Sequence, residues 1–346
     1  MRRAFPCGGI VCGILLALTV LPSAHAQRRY RPVKDPASPP EIPYTRYFTR
    51  DRFDRKITFY IHGDQSQPLP MVVSVLGSGA YSNFIRVGEE IRDGHRAARE
   101  AFDGKAHVLI VEKPGIEFLE QHTNAGTSVD ASAEFLRENA LERWAEAVSA
   151  ALQAARTLPL ADKTRCLLIG HSEGATVVAM VAAQNKFVTH LTSLSGNGPT
   201  VLFELMHKAG EGRLYPALPS DPEQQMAQLL ADVAAIRADP TNSTRLILGH
   251  TPLYWSSRWT FSTMQELSRT KARIFLAHGT ADQNVTIAHF DMMYAHLLAQ
   301  GKDVTARRYQ GADHGYRFAD QPDRDGWKEV FEESRTWFLE SPPKAR

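Results

Sequence analysis

Three short motifs carry residues able to do acyl-transfer chemistry together. Ser172 stands in Gly170-His171-Ser172-Glu173-Gly174, Asp282 ends His278-Gly279-Thr280-Ala281-Asp282, and His314 lies in Gly311-Ala312-Asp313-His314-Gly315. A serine hydroxyl is a poor nucleophile at neutral pH, so it needs a base, and the base must be held by an acid. His314 is the candidate base and Asp282 the candidate acid. Asp313 competes for that role, but a carboxylate beside His314 in the chain has difficulty reaching back to the ring. A tetrahedral intermediate also needs N–H donors for its oxygen. The Glu173 amide, just after the serine, is one candidate. Ser78 in Gly77-Ser78-Gly79 is the other, with Gly79 and Ala80 as near alternatives. The Glu173 carboxylate reads as a cap at the positive end of the helix it begins. His278, Asp282 and His314 could instead suggest a metal site, but no ligand pair at helical spacing accompanies them.

These residues require strands that end beside one another. Cys166-Leu167-Leu168-Ile169 runs straight into Gly170, and an Ala/Val-rich helical stretch covers residues 173–184. This is the strand, sharp turn and helix that lifts a serine above a sheet, and the flanking glycines remove the Cβ atoms that would collide there. Strands over 272–277 and 304–309 place Asp282 and His314 in loops at strand C-terminal ends, where catalytic groups collect in parallel sheets. Further strands are expected at 56–61 and 70–76, as neighbours, at 106–111 and at 190–194. Helices are expected at 131–158, 287–299 and 323–339. Short apolar strands separated by amphipathic helices indicate an α/β chain with a mostly parallel sheet covered on both faces. Residues 198–270 break the rhythm with helical patterns and read as a cap. Late in it, Tyr254, Trp255, Trp259 and Phe261 form an aromatic group. Tyr254 and Trp255 are candidate substrate contacts, as is Tyr81, although aromatic packing of the cap explains them as well. Glu204 and Arg258 could anchor the terminus of a peptide.

Residues 1–26 read as a cleavable signal peptide. Arg2 and Arg3 precede an apolar run over 10–21, and Ala24-His25-Ala26 suits a signal peptidase, with cleavage before Gln27. The apolar run is too short to span a bilayer, so no stable membrane anchor is expected. Residues 27–43, rich in Pro and Arg, read as a flexible leader to a domain over 44–346. The whole chain of 346 residues carries a net charge of +2, and loss of the two N-terminal arginines brings it close to zero. Without a basic stripe, nucleic acid is not an expected partner. Cys166 is the one cysteine outside the signal peptide and reads as a buried strand residue. Sequons at Asn242 and Asn284 would matter only on a eukaryotic route. A glycan at Asn284 would crowd Asp282, which favours a secreted or periplasmic bacterial setting.

The motifs at 170–174, 278–282 and 312–315 resemble those of prolyl-oligopeptidase-like and dienelactone-hydrolase-like members of the α/β-hydrolase superfamily. The similarity runs from about residue 56 to the C-terminal helix. It implies an α/β-hydrolase fold with an eight-stranded sheet, no metal or organic cofactor, and hydrolysis through an acyl-enzyme. Serine stands where dienelactone hydrolases carry cysteine. The roughly 145 residues between the signal peptide and Ser172 leave no room for a β-propeller, so neither group's specific activity is carried over. The leading expectation is a serine hydrolase acting on a small carboxylic ester. A short peptide or amide substrate, acyl transfer to another alcohol, and an inactive binding module are the alternatives.

Overall fold

The computed structural model describes residues 30–122 and 126–342. The expected signal peptide therefore lies outside the described residues. Nine strands form the main sheet: β1 (Val33–Lys34), β2 (Thr45–Arg50), β3 (Lys56–His62), β4 (Leu69–Val75), β7 (His107–Val111), β8 (Ala161–His171), β9 (His190–Leu194), β10 (Arg273–Gly279) and β11 (Val304–Tyr309). A hairpin of β5 (Phe84–Val87) and β6 (Glu90–Asp93) stands apart. The order is β1-β2-β3-β7-β4-β8-β9-β10-β11, antiparallel from β1 to β7 and parallel onward. Seven of these strands, β3, β4 and β7 to β11, answer to the expected segments; β2 and the two-residue edge β1 were not expected, and they make the sheet nine-stranded rather than eight.

Two expectations are corrected here. Strands β3 and β4 are not neighbours, because β7 pairs antiparallel with β3 and parallel with β4 and so lies between them. The leader is not wholly loose either. Val33 and Lys34 pair with Phe48 and Tyr47, and Arg46 closes on Asp35 at 2.5 Å.

The helices are α1 (Arg96–Phe102), α2 (Ala133–Glu138), α3 (Leu141–Ala155), α4 (Glu173–Gln184), α5 (Val201–Gly210), α6 (Pro222–Ala238), α7 (Pro252–Trp259), α8 (Thr263–Arg269), α9 (Ile287–Ala299) and α10 (Gly326–Glu340). One helix expected over 131–158 is two, α2 and α3, broken at Asn139, whose amide and carbonyl serve distant partners. Asn139 Nδ2 donates to Ser128 Oγ at 3.2 Å, and its carbonyl accepts from Arg258. Two apolar layers flank the sheet. One joins Leu168, Val177 and Leu276 to α3, and the other joins Ile169, Phe275 and Leu194 to Phe331 and Phe338 of α10. Strands β7 and β9 are buried at every position, as strands covered on both faces must be. Helices α5 to α8 lie within residues 198–270, the segment read from sequence as a helical cap. Its own core joins Leu205, Ala209, Leu229, Val233, Tyr254 and Trp255. Among the described residues, no helix is long and apolar enough to cross a membrane.

Candidate active site

Strand β8 delivers Ser172 into the turn before α4, and the turn is strained. Ser172 adopts φ 57° and ψ −124°, a left-handed conformation in which a non-glycine residue is uncommon. Its amide is anchored on the Leu194 carbonyl at 2.9 Å. The neighbouring glycines have a steric reason: a Cβ on Gly170 would lie 2.3 Å from the Gly174 carbonyl oxygen, and one on Gly174 would lie 2.3 Å from that of Val75.

The loops after β10 and β11 bring Asp282 and His314 together. His314 Nδ1 donates to Asp282 Oδ2 at 2.7 Å, while Oδ1 accepts the amides of Asn284 and Val285 at 2.8 and 2.9 Å. Burial alone would raise the Asp282 pKa. Hydrogen bonds from His278 and His314, the charge on His314 and the Val285 amide outweigh it and hold the carboxyl well below the usual range. Asp313 turns the other way, accepting the Arg317 amide at 2.9 Å and pairing with its guanidinium at 3.0 Å. His278 also approaches Asp282 Oδ2, at 3.3 Å, but its Nε2 lies closer, at 2.8 Å, to the Val285 carbonyl. Among the described residues, no group of three or more His, Cys, Asp or Glu has the geometry to hold a metal.

Ser172 and His314 line one cavity of about 570 Å³ beneath the cap, with Ser78, Tyr81, Tyr254 and Trp255. That is the size of a pocket for a small organic molecule. Ser78 belongs to the loop after β4, which packs on the nucleophile: a Cβ on Gly77 would lie 3.0 Å from Ser172 Cβ. The Glu173 amide opens α4. The expected candidates therefore converge on one place.

Other expectations need refinement. The Glu173 carboxylate does more than cap a helix: it accepts the Tyr254 hydroxyl at 3.2 Å and the Arg258 Nε at 2.5 Å. This ion pair is buried and latches α7 of the cap onto the residue beside the nucleophile. Trp255 lines the cavity while its indole N–H is held by the Ile247 carbonyl at 2.7 Å, so lining and packing coincide. Glu204 and Arg258 do face the cavity, but both are committed internally. Glu204 pairs with His289 at 2.8 Å and with Lys208 at 3.1 Å.

Four site residues were given no role from sequence. His171 donates from Nε2 to the His314 carbonyl at 2.9 Å and so steadies the histidine loop. Burial, then the neighbouring His314 charge, pull its pKa down to about 3, so it stays neutral. His250 stacks on Tyr254 with ring centroids 3.7 Å apart and bonds Ser128 Oγ at 2.8 Å. Asn139 joins that group to Arg258. Lys113 holds the Ser78 loop from behind. Its sequence signal is a charged residue just beyond the tip of an apolar parallel strand.

Residues 248–338, which carry both the Asp282 and His314 loops, match the prolyl oligopeptidase family. Several solved structures share the fold at low identity. Est1E from Butyrivibrio proteoclasticus is 16% identical with a TM-score of 0.53, over 85% of this chain and 98% of that one. Pyrococcus horikoshii acylaminoacyl peptidase is 14% identical with a TM-score of 0.57, over 88% of this chain and 43% of its own. A Mycobacterium tuberculosis puromycin-hydrolyzing peptidase is 17% identical with a TM-score of 0.53, over 87% of this chain and 40% of its own. The chain thus spans under half the length of the two peptidases. No curated protein matches it in sequence. The solved structures show an α/β-hydrolase fold for this chain, and the prolyl oligopeptidase match covers the segment that carries the Asp282 and His314 loops.

Proposed function

We propose that the protein is an exported hydrolase of small carboxylic esters, working through an acyl-enzyme on Ser172. The observation that carries this reading is the 2.7 Å contact of His314 with Asp282, with His314 and Ser172 lining a single cavity. In the first half-reaction Ser172 Oγ attacks the ester carbonyl carbon and His314 Nε2 takes the hydroxyl proton. Asp282 fixes the ring with Nδ1–H toward itself, so that Nε2 is the free base, and stabilises the imidazolium. The negative oxygen of the tetrahedral intermediate accepts the amides of Glu173 and Ser78, each such donor contributing about 3 kcal/mol. The intermediate expels the alkoxide, which takes the proton back from His314. Water then repeats the sequence on the acyl-enzyme, releasing the carboxylic acid and free Ser172.

Ester over peptide is favoured because both charged groups that could hold a peptide terminus are occupied, Glu204 by His289 and Lys208, and Arg258 by Glu173. The cavity wall offers Tyr81, Tyr254, Trp255 and Phe261, suited to an aryl or acyl group. Est1E, with which this chain aligns over nearly all of its length, has been solved with bound ferulic acid, an aromatic carboxylic acid. A peptidase reading draws support from the family matched over residues 248–338. Purified protein should cleave p-nitrophenyl esters faster than aminoacyl arylamides and should react with a fluorophosphonate. Ser172→Ala should abolish both reactions, and labelling that persists in this variant would sink the mechanism. Faster arylamide cleavage would favour the peptidase. N-terminal sequencing of the exported protein should begin at Gln27.

A further inference from the structure

We infer that Lys113 is the positioning residue of the oxyanion loop, clamping the Gly77 and Gly79 carbonyls so that the Ser78 and Ala80 N–H groups stay aimed. The inference rests on the acyl-transfer reading of Ser172 and extends it to a residue that touches no substrate. Lys113 lies two positions beyond β7 with its side chain buried. Its ammonium donates to the Gly77 oxygen at 2.7 Å and to the Gly79 oxygen at 2.6 Å. It also sits over two aromatic faces, 4.5 Å from the Tyr81 ring centroid and 4.8 Å from that of Trp144. Both hydrogen-bond acceptors are peptide carbonyls, a setting in which burying a charge costs several kcal/mol of desolvation. Packing alone gives no reason to keep a cation there.

Peptide planarity supplies the reason. The Gly77 carbonyl and the Ser78 N–H belong to one rigid trans unit and point in opposite directions. Holding the Gly77 oxygen on Lys113 therefore directs the Ser78 N–H away from Lys113. The Gly79 oxygen fixes the Ala80 N–H in the same way. The loop needs an external hold. Gly79 has φ +109°, and a Cβ there would lie 2.6 Å from Tyr81 Cε1, so only glycine fits and glycine alone does not restrict the backbone. Glu112, the preceding residue, grips the far end of the same loop, accepting Ser82 Oγ at 2.8 Å and the Asn83 amide at 3.0 Å.

The charge environment gives this clamp a pH signature. Burial pulls the Lys113 pKa down to about 8, partly opposed by Glu173 on α4 and Glu112 beside it and reinforced by Arg258 on α7. The charge of Lys113 in turn acts on His95 and His250, and Tyr81 faces it from the loop. Above pH 8 the neutral amine keeps two N–H groups but loses the charge that strengthens both bonds and attracts both rings. Fold stability moves the other way. Between pH 8 and the ordinary lysine pKa of 10.5 the unfolded chain holds this proton and the folded chain does not, so this group's contribution to stability rises with pH. A fall in rate without loss of fold is thus the mark of the clamp.

The test measures kcat, KM and fluorophosphonate labelling of wild type, Lys113→Met and Lys113→Arg from pH 7 to 9.5, with Ser172→Ala as control. Lys113→Met should lower kcat about 100-fold with KM changed less than about threefold, and labelling should slow in parallel. Lys113→Arg should recover at least about tenfold of that loss and remove the alkaline decline, since guanidinium keeps its proton. Wild type should lose several-fold of kcat by pH 9.5 while its circular dichroism holds. A folded Lys113→Met with kcat within about threefold of wild type, or a loss confined to KM, overturns the assignment. If Lys113→Met does not fold, the wild-type profile decides, and a kcat flat to pH 9.5 overturns it. An active Ser172→Ala would instead refute the underlying mechanism, whereas an inert Ser172→Ala beside a fully active Lys113→Met refutes only the clamp.

Discussion

Replacing Arg258 by Met tests whether the cap is latched to the nucleophile turn through charge. Arg258 is 3% exposed and its partner Glu173 10%, so removing the guanidinium leaves a carboxylate in a site that water barely reaches. Breaking such a pair from one side typically costs about 3–5 kcal/mol. The lower end applies here, because Tyr254 still donates to Glu173 at 3.2 Å and Lys113 still attracts it. Asn139 and the Tyr254 carbonyl also lose donors they now receive from Arg258. Arg258→Met should therefore destabilise the fold by about 3 kcal/mol, read as a fall of about 1 M in the urea midpoint. Glu173→Gln should cost a similar amount by stranding the guanidinium. The double variant buries no unpaired charge, so its cost should fall short of the sum by about 3 kcal/mol. Labelling of Ser172 should survive in both single variants, because the Glu173 amide belongs to α4 and not to its side chain. A cost below about 1 kcal/mol for Arg258→Met, or single costs that simply add, would refute the latch.

Acid should weaken the fold well before Asp282 is protonated. Burial lowers the pKa of His95 and His190 to about 4 and of His171 and His250 to about 3. Below the ordinary histidine value the unfolded chain binds these protons and the folded chain does not, so stability falls as pH falls. Glu112, raised by burial to about 7, opposes this by holding its proton in the fold. Four histidines against one glutamate give a net slope of about 4 kcal/mol per pH unit near pH 5. Urea midpoints between pH 7.5 and 5 that stay level or rise would contradict it. Cys166, buried and pushed up to about 12, should resist a disulfide reagent at pH 8 in the native protein and react once denatured. Rapid native labelling at this residue, located by peptide mapping, would show that the strand opens.

What the sequence made legible was local. Strand β9 and helices α4 and α9 occupy the residues their apolar patterns indicate, because each pattern is set by the faces that the element buries. The Asp282 and His314 loops were placed by the same logic, since a strand's end is visible where its apolar run stops. Sheet order was not legible: nothing in residues 56–61 or 70–76 records that β7, much later in the chain, pairs between them. The break at Asn139 was hidden for a related reason. The helical periodicity runs straight through it, and its cause is hydrogen bonding to Ser128 and Arg258, the latter more than a hundred residues away. Lys113 is the instructive case, because its signal was present. The buried run His107-Val108-Leu109-Ile110-Val111 ends in Glu112-Lys113 followed by Pro114 and Gly115. Both charges thus fall at the sheet edge where Ser172, Asp282 and His314 were sought. A charge at that edge with no motif around it reads as an ordinary solvated strand end. Burial distinguishes it, since an ammonium held by two carbonyls and two rings is retained against a desolvation cost. The strands that present a nucleophile also present the groups that shape its surroundings. Unpatterned charges one or two residues beyond their ends therefore belong among the candidates from the start.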